Sequence, residues 1–169
     1  NPTNILFGRG MLNELGRQPL PGKKACDLIS SGKSTRVNEY LDRTLEQLKI
    51  AGVDSVVFDK FTENPLKEHC EEGGRFAREN GCDFIVALGG GAVLDSSKMV
   101  SSMATNEGDL WEYAKGKPFQ NAGLPIVTIP TTSGTGSEAN CSGVISNLKT
   151  KEKIGFGDTR NIPVLAIVD

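Results

Sequence analysis

One stretch of this chain does most to limit what it can become. Asp83 to Leu88 reads Asp-Phe-Ile-Val-Ala-Leu and runs without a break into Gly89-Gly90-Gly91. A strand that is apolar at every position after its first has no face left for water, so both faces must be covered. That predicts a central strand of a parallel sheet, with helices packed above and below it. The glycines then turn the chain into a helical stretch from Ala92 to about Ala104. Such a turn presents backbone N–H groups and a helix N-terminus at the carboxyl end of the strand, with no Cβ to block close approach. The ligand it favours is an anion such as a phosphate.

The rest of the chain repeats this alternation. Short strands are expected at Asn4 to Phe7, Lys23 to Ser30, Val53 to Phe58, Leu124 to Ile129, Cys141 to Ser146, Glu152 to Phe156 and Val164 to Val168. Asp27 interrupts the apolar character of the second. A short helix follows from Met11 to Leu15. A longer one is expected from Thr35 to Ile50, where Val37, Leu41, Leu45 and Leu48 recur at helical spacing and Ala51-Gly52 ends the run. Glu63-Asn64-Pro65 opens the next helix, with Asn64 as its N-cap and Pro65 at its first position. Leu66, Cys70 and Ala77 share its apolar face. Strand–helix–strand order of this kind predicts an α/β fold, Rossmann-like, with a mostly parallel sheet and helices on both faces. Residues 1–169 form one such domain.

A second polar loop follows the strand that ends at Ile129. Pro130-Thr131-Thr132-Ser133-Gly134-Thr135-Gly136-Ser137-Glu138 carries five hydroxyl side chains and two glycines. Hydroxyls and free amides bind phosphate and amide groups. Two such loops, each after a buried strand, can bracket one extended ligand such as a dinucleotide. The glycine turn is neither G-x-G-x-x-G nor G-x-x-x-x-G-K-[ST], so neither fingerprint applies. Asp95 and Lys98 lie three residues apart in the first turns of the following helix, a spacing that a simple surface ion pair would also explain.

Composition removes several classes. The net charge is −2, which gives no basic footprint for nucleic acid. No apolar run approaches the ~20 residues that span a bilayer. The chain starts Asn1-Pro2-Thr3-Asn4, without an initiating Met and without a secretory signal pattern. Cys26, Cys70, Cys82 and Cys141 are scattered, and are expected to be reduced thiols, mostly buried, in a cytoplasmic protein. His69 is the one histidine, in a charged segment, and reads as a solvated helix residue. No metal ligand set and no catalytic residue is evident in the chain.

Three of these motifs occur in the order of one known family. Asn64-Pro65, Gly89 to Lys98 and Pro130 to Glu138 resemble the Asn-Pro, G-G-G-S-x-x-D-x-x-K and P-T-T-x-G-T-G-S-E motifs of the iron-containing (group III) alcohol dehydrogenases. Phe7-Gly8-Arg9-Gly10 matches the family's opening F-G-x-G. Ala92 stands where the family usually has Ser. The threonine loop is the most specific part, since glycerol dehydrogenases and dehydroquinate synthases share the glycine turn but not that loop.

The resemblance implies the N-terminal domain of a dehydroquinate synthase-like fold that binds a nicotinamide dinucleotide. Gly90, Gly91 and Ala92 would contact its pyrophosphate, and Thr131, Thr132 and Thr135 its adenine and ribose side. Asn64 matches a cofactor contact, Asp95 a residue near the nicotinamide and substrate, and Lys153 a lysine reaching the ribose. Gly32 aligns with a turn where NAD-preferring members often carry Asp. Its small size, with Lys33 beside it, favours NADP(H) over NAD(H). The parent would transfer hydride between a small alcohol or aldehyde and NAD(P), with Fe²⁺ or Zn²⁺ held in a C-terminal helical domain that this chain lacks. The chain alone is expected to be inactive, and a homodimer is possible by the same likeness. A stand-alone, non-catalytic nucleotide-binding module and a glycerol dehydrogenase or dehydroquinate synthase relative are the alternatives.

Overall fold

The computed structural model describes residues 1–169. Six parallel strands form one sheet in the order β1 (Asn4–Phe7), β8 (Leu165–Val168), β5 (Ile126–Pro130), β4 (Phe84–Gly89), β2 (Lys24–Ser30) and β3 (Asp54–Phe61). Every residue of β4 is buried, as its unbroken apolar run requires. Two further strands, β6 (Ser142–Asn147) and β7 (Glu152–Gly157), pair antiparallel as a separate hairpin rather than joining the sheet.

Helices cover both faces. On one, α3 (Lys67–Glu79), α4 (Gly91–Met103) and the short α5 (Leu110–Ala114) pack Cys70, Ala77, Leu94, Val100 and Leu110 against the sheet. On the other, α2 (Tyr40–Ile50) and a 3₁₀ segment at Met11–Arg17 bring Leu41, Leu48, Leu12 and Leu15 against Ala25, Val86 and Val127. The chain leaves β2 towards the α2 face and leaves β4 towards the α4 face. Between these two strands the sheet therefore has its topological switch point, and a crevice opens at their carboxyl ends.

Several local expectations are corrected. The helix expected from Thr35 to Ile50 is two helices, α1 (Ser34–Val37) and α2, broken at Glu39 with φ 62. Val37, expected on the apolar face, is 73% exposed because the break takes it out of register with Leu41. Asn64 does not cap α3. Leu66 holds that position, in extended conformation, because the Pro65 carbonyl and Leu66 are engaged by Ser146 of β6. His69 is half-buried rather than fully solvated, since its ring packs edge-on to Phe61 and its Nδ1 is buried without a partner. Helix α5 was not apparent from sequence. It is capped by the Asp109 carboxylate, which accepts the Trp111 N–H at 2.8 Å. Cys26, Cys70 and Cys82 are buried and Cys141 is partly so, all four as free thiols. No helix is long and apolar enough to cross a membrane.

Candidate functional site

The glycine turn sits at the switch point. Gly89 ends β4 opposite Pro130 at the end of β5, and the Thr131 N–H donates to the Gly89 carbonyl at 2.9 Å. A Cβ on Gly89 would stand 2.9 Å from Val93 Cγ2, so only glycine lets the strand turn this sharply into its helix. Gly90 precedes α4 in extended conformation and offers no side-chain cap. The first N–H groups of α4 therefore have no acceptor within the helix and point out of the sheet's carboxyl edge. With the dipole of a helix of 13 residues behind them, they favour an anion.

The threonine loop closes over this turn. A Cβ on Gly90 would lie 3.4 Å from Thr132 Oγ1, and one on Gly91 would lie 3.2 Å from Thr135 Cγ2 and 3.5 Å from its Oγ1. The two loops thus pack against each other, which sets the amides of the turn beside the exposed hydroxyls of the threonine loop. Thr131, Thr132 and Thr135 are all solvent-exposed and available to a ligand.

On the β2 side a cavity of about 420 Å³ opens beside the turn, which Gly32, Ser31, Thr62, Gly90 and Ala92 line. Gly32, Gly90 and Ala92 are therefore brought together around one space. Gly32 does not serve a strained turn. A Cβ there would meet only Ser30 Oγ, at 3.6 Å. On the other side, Thr131 joins Tyr40, Arg43, Leu88 and Asp169 around a second cavity of about 260 Å³.

Asn64 and Lys153 lie further out, at the hairpin. Pro65, next to Asn64, accepts the Ser146 N–H at 2.8 Å, and Ser146 pairs with Lys153 across the hairpin. Both residues are exposed. Asp95 faces the same hairpin, and its Oδ2 accepts the Val144 N–H at 3.1 Å. The carboxylate thus ties α4 to the hairpin.

The sequence profile of the family described as iron-containing alcohol dehydrogenase matches residues 2–169. The chain belongs to the iron-containing alcohol dehydrogenase family. Among its relatives, the 1,3-propanediol dehydrogenase of Citrobacter freundii is 37% identical over 99% of this chain and 44% of its own length. The NADPH-dependent aldehyde reductase of Escherichia coli is 33% identical over 99% of this chain and 43% of its own. The crystal structure of NADH-dependent butanol dehydrogenase A from Thermotoga maritima superposes with a TM-score of 0.94 at 33% identity, covering 100% of this chain and 43% of that one. The chain spans less than half the length of these relatives.

Within this family member, two residues of the site were hidden from sequence reasoning. Lys98 is not part of a surface ion pair with Asp95. It is 1% exposed, and its Nζ donates to the Ser137 carbonyl at 2.9 Å, Ser137 Oγ at 2.8 Å and the Ser142 carbonyl at 3.2 Å. Burial pulls this amine down to about 8, while the Asp95 carboxylate pulls the other way. Ser137 is the second, equally buried behind the threonine loop. The spacing of Asp95 and Lys98 marked a motif but not its partners. The iron in the family's name finds no fit here, because no three His, Cys, Asp or Glu side chains converge to hold a metal ion.

Proposed function

We propose that this chain is the dinucleotide-binding domain of an NAD(P)-dependent alcohol dehydrogenase. In this reading the parent protein transfers hydride between a small alcohol or aldehyde and the nicotinamide ring. The observation that carries it is the facing of Gly90 and Gly91 with Thr132 and Thr135 at the sheet's switch point. The dinucleotide, when bound, supplies the hydride chemistry. The chain's own residues bind and orient it. The α4 N-terminus with Gly90, Gly91 and Ala92 takes the pyrophosphate, the threonines take the adenosine side, and Asn64, Asp95 and Lys153 border the other end. No step is assigned to a metal in this chain. Its ligands belong, in this reading, to a helical domain outside these residues, consistent with the 44% of the propanediol dehydrogenase that the chain covers.

The same reading favours NADP(H) over NAD(H). Gly32 leaves open space where a carboxylate would repel a 2′-phosphate, and Lys33 adjoins it. Glu63, which also lines that cavity, works against this preference. Relatives named for NADH and for NADPH both occur, so the two cofactors must be compared directly. A cytoplasmic setting fits the four free thiols. Self-association through β1 fits its place at the sheet edge, where Phe7 is 80% exposed.

Calorimetric titration of the chain with NADPH and NADH tests the proposal. Saturable binding of either, weakened by Gly91→Val, is expected. Absence of binding for both would remove the dinucleotide reading. The chain alone is expected to reduce no aldehyde, because it holds no metal ligand set.

A further inference from the structure

The threonine loop does little to hold itself in place. Thr131 to Thr135 are exposed, and the loop's internal bonds are few, the Ser137 N–H to Thr135 Oγ1 at 3.2 Å and the Ala139 N–H to the Gly136 carbonyl at 3.1 Å among them. Its position relative to the glycine turn depends on its two ends. At the first, the Thr131 N–H is tied to the Gly89 carbonyl at 2.9 Å. At the second, Gly136 reverses the chain with φ 73 and delivers Ser137 to Lys98. Thr128 Oγ1 adds one neutral bond to the Glu138 carbonyl at 2.9 Å. Lys98 adds three from a charged donor, each worth about twice a neutral one.

The match at Lys98 is complete. An ammonium has three donors and no acceptor, and it meets three acceptors: two carbonyls and one hydroxyl. No carboxylate lies within ion-pair distance of it. A buried lysine with no carboxylate in contact is rare, because an ammonium stripped of its water must recover that cost from its new partners. Here every hydrogen bond it makes goes to the 137–142 segment, with the Asp95 carboxylate helping from beyond contact distance. One helical turn earlier Asp95 takes the Val144 N–H, and a Cβ on Gly143 would stand 3.0 Å from the Asp95 carbonyl. A single turn of α4 therefore holds Ser137, Ser142 and Val144 of the segment that leaves the threonine loop. The N-terminus of that same helix is the glycine turn itself.

We propose that Lys98 is a positioning residue whose buried ammonium fixes the threonine loop against the glycine turn and so sets where the loop's hydroxyls stand relative to the turn's amides. Its consequence for nucleotide binding rests on the dinucleotide reading above. The fixing of the loop does not.

Lys98→Met keeps the length of the side chain and removes the charge. Two measurements on the chain test the proposal, hydrogen exchange resolved along the sequence and NADH titration. Faster exchange confined to residues 131–142, with β4, β5 and the rest of α4 as protected as before, is expected, with NADH binding weaker by about tenfold or more. Unchanged exchange in that segment of the folded variant would overturn the proposal. So would a uniform loss of protection through the sheet, because Lys98 would then be a core residue only. Should Lys98→Met fail to fold, Ser137→Ala removes one acceptor alone. A smaller rise in exchange of the same segment supports the proposal, and no rise overturns it. If the unaltered chain binds no NADH, the dinucleotide reading falls while the exchange data still judge Lys98.

Discussion

Asp27 offers the sharpest test of the energetics. It lies in the middle of β2, paired with Val57 on one side and Val86 on the other. Alternation puts it on the same face as Ala25 and Ile29, which pack into the layer under α2. It is 1% exposed, and neither carboxyl oxygen has a hydrogen-bond partner. Burial raises its pKa from 3.8 to about 7, and the neighbouring Ser55 hydroxyl offsets only part of this. Below pH 3.8 both folded and unfolded chains carry the proton, and ionisation costs nothing. Between 3.8 and about 7 the unfolded chain gives up its proton while the folded chain keeps it, so stability falls as pH rises. Above that range the loss is complete. At about 1.4 kcal/mol per pH unit, it amounts to at most about 4 kcal/mol.

Replacing the carboxyl should therefore stabilise the chain, and do so unequally with pH. Asp27→Val suits a central strand and leaves no polar atom behind. Its advantage over the unaltered chain should be small at pH 4.5 and grow to about 2–4 kcal/mol at pH 8. For a chain of this length that is a rise in melting temperature of roughly 5–15 °C. Asp27→Asn isolates the charge, because its amide cannot ionise but remains unpaired. It should show the same pH trend with a smaller gain. Urea unfolding of all three chains at several pH values between 4.5 and 8.5 measures this, since acid effects of other carboxylates cancel in the differences. An advantage that does not change with pH, or a Val variant less stable than the original at pH 8, would refute the reasoning.

Other expectations concern the glycine turn, the cavity beside it and the elements around them. Gly91→Val puts branched carbons where a single Cβ is already 3.2 Å from Thr135 Cγ2. It should weaken nucleotide binding by about tenfold or more, with little change in melting temperature. Gly32→Asp has room for its side chain, so it should fold normally, and calorimetry should show NADPH binding reduced far more than NADH binding. Asp109→Ala removes the cap of α5 and one of the two partners of Lys67, and should cost about 1 kcal/mol in chemical denaturation. Phe7→Lys should shift any dimer seen by sedimentation towards monomer, because it charges the exposed β1 edge.

What could be read from the residues followed from short-range physics. The apolar run of β4 announced a doubly covered strand, and the glycines after it announced a turn open to a phosphate, because each signal lies within a few bonded neighbours. The break at Glu39 left no such mark. Neither Gly nor Pro stands there, and the spacing from Val37 to Leu41 suits an unbroken helix. The cap expected at Asn64 failed for a different reason. Asn64-Pro65 is a good helix start in isolation, but Ser146, far along the chain, takes the Pro65 carbonyl and keeps Leu66 extended. Lys98 shows the limit most clearly. Asp95 is its obvious local partner, yet its bonds go to Ser137 and Ser142, 39 and 44 residues away. A charged residue on a helix is ordinarily solvated, and only the assembled fold reveals three acceptors waiting for it. The glycine turn and the threonine loop, proposed to meet a ligand, are each contiguous in sequence and can be read there. The residue that holds those loops together acts across the fold and cannot.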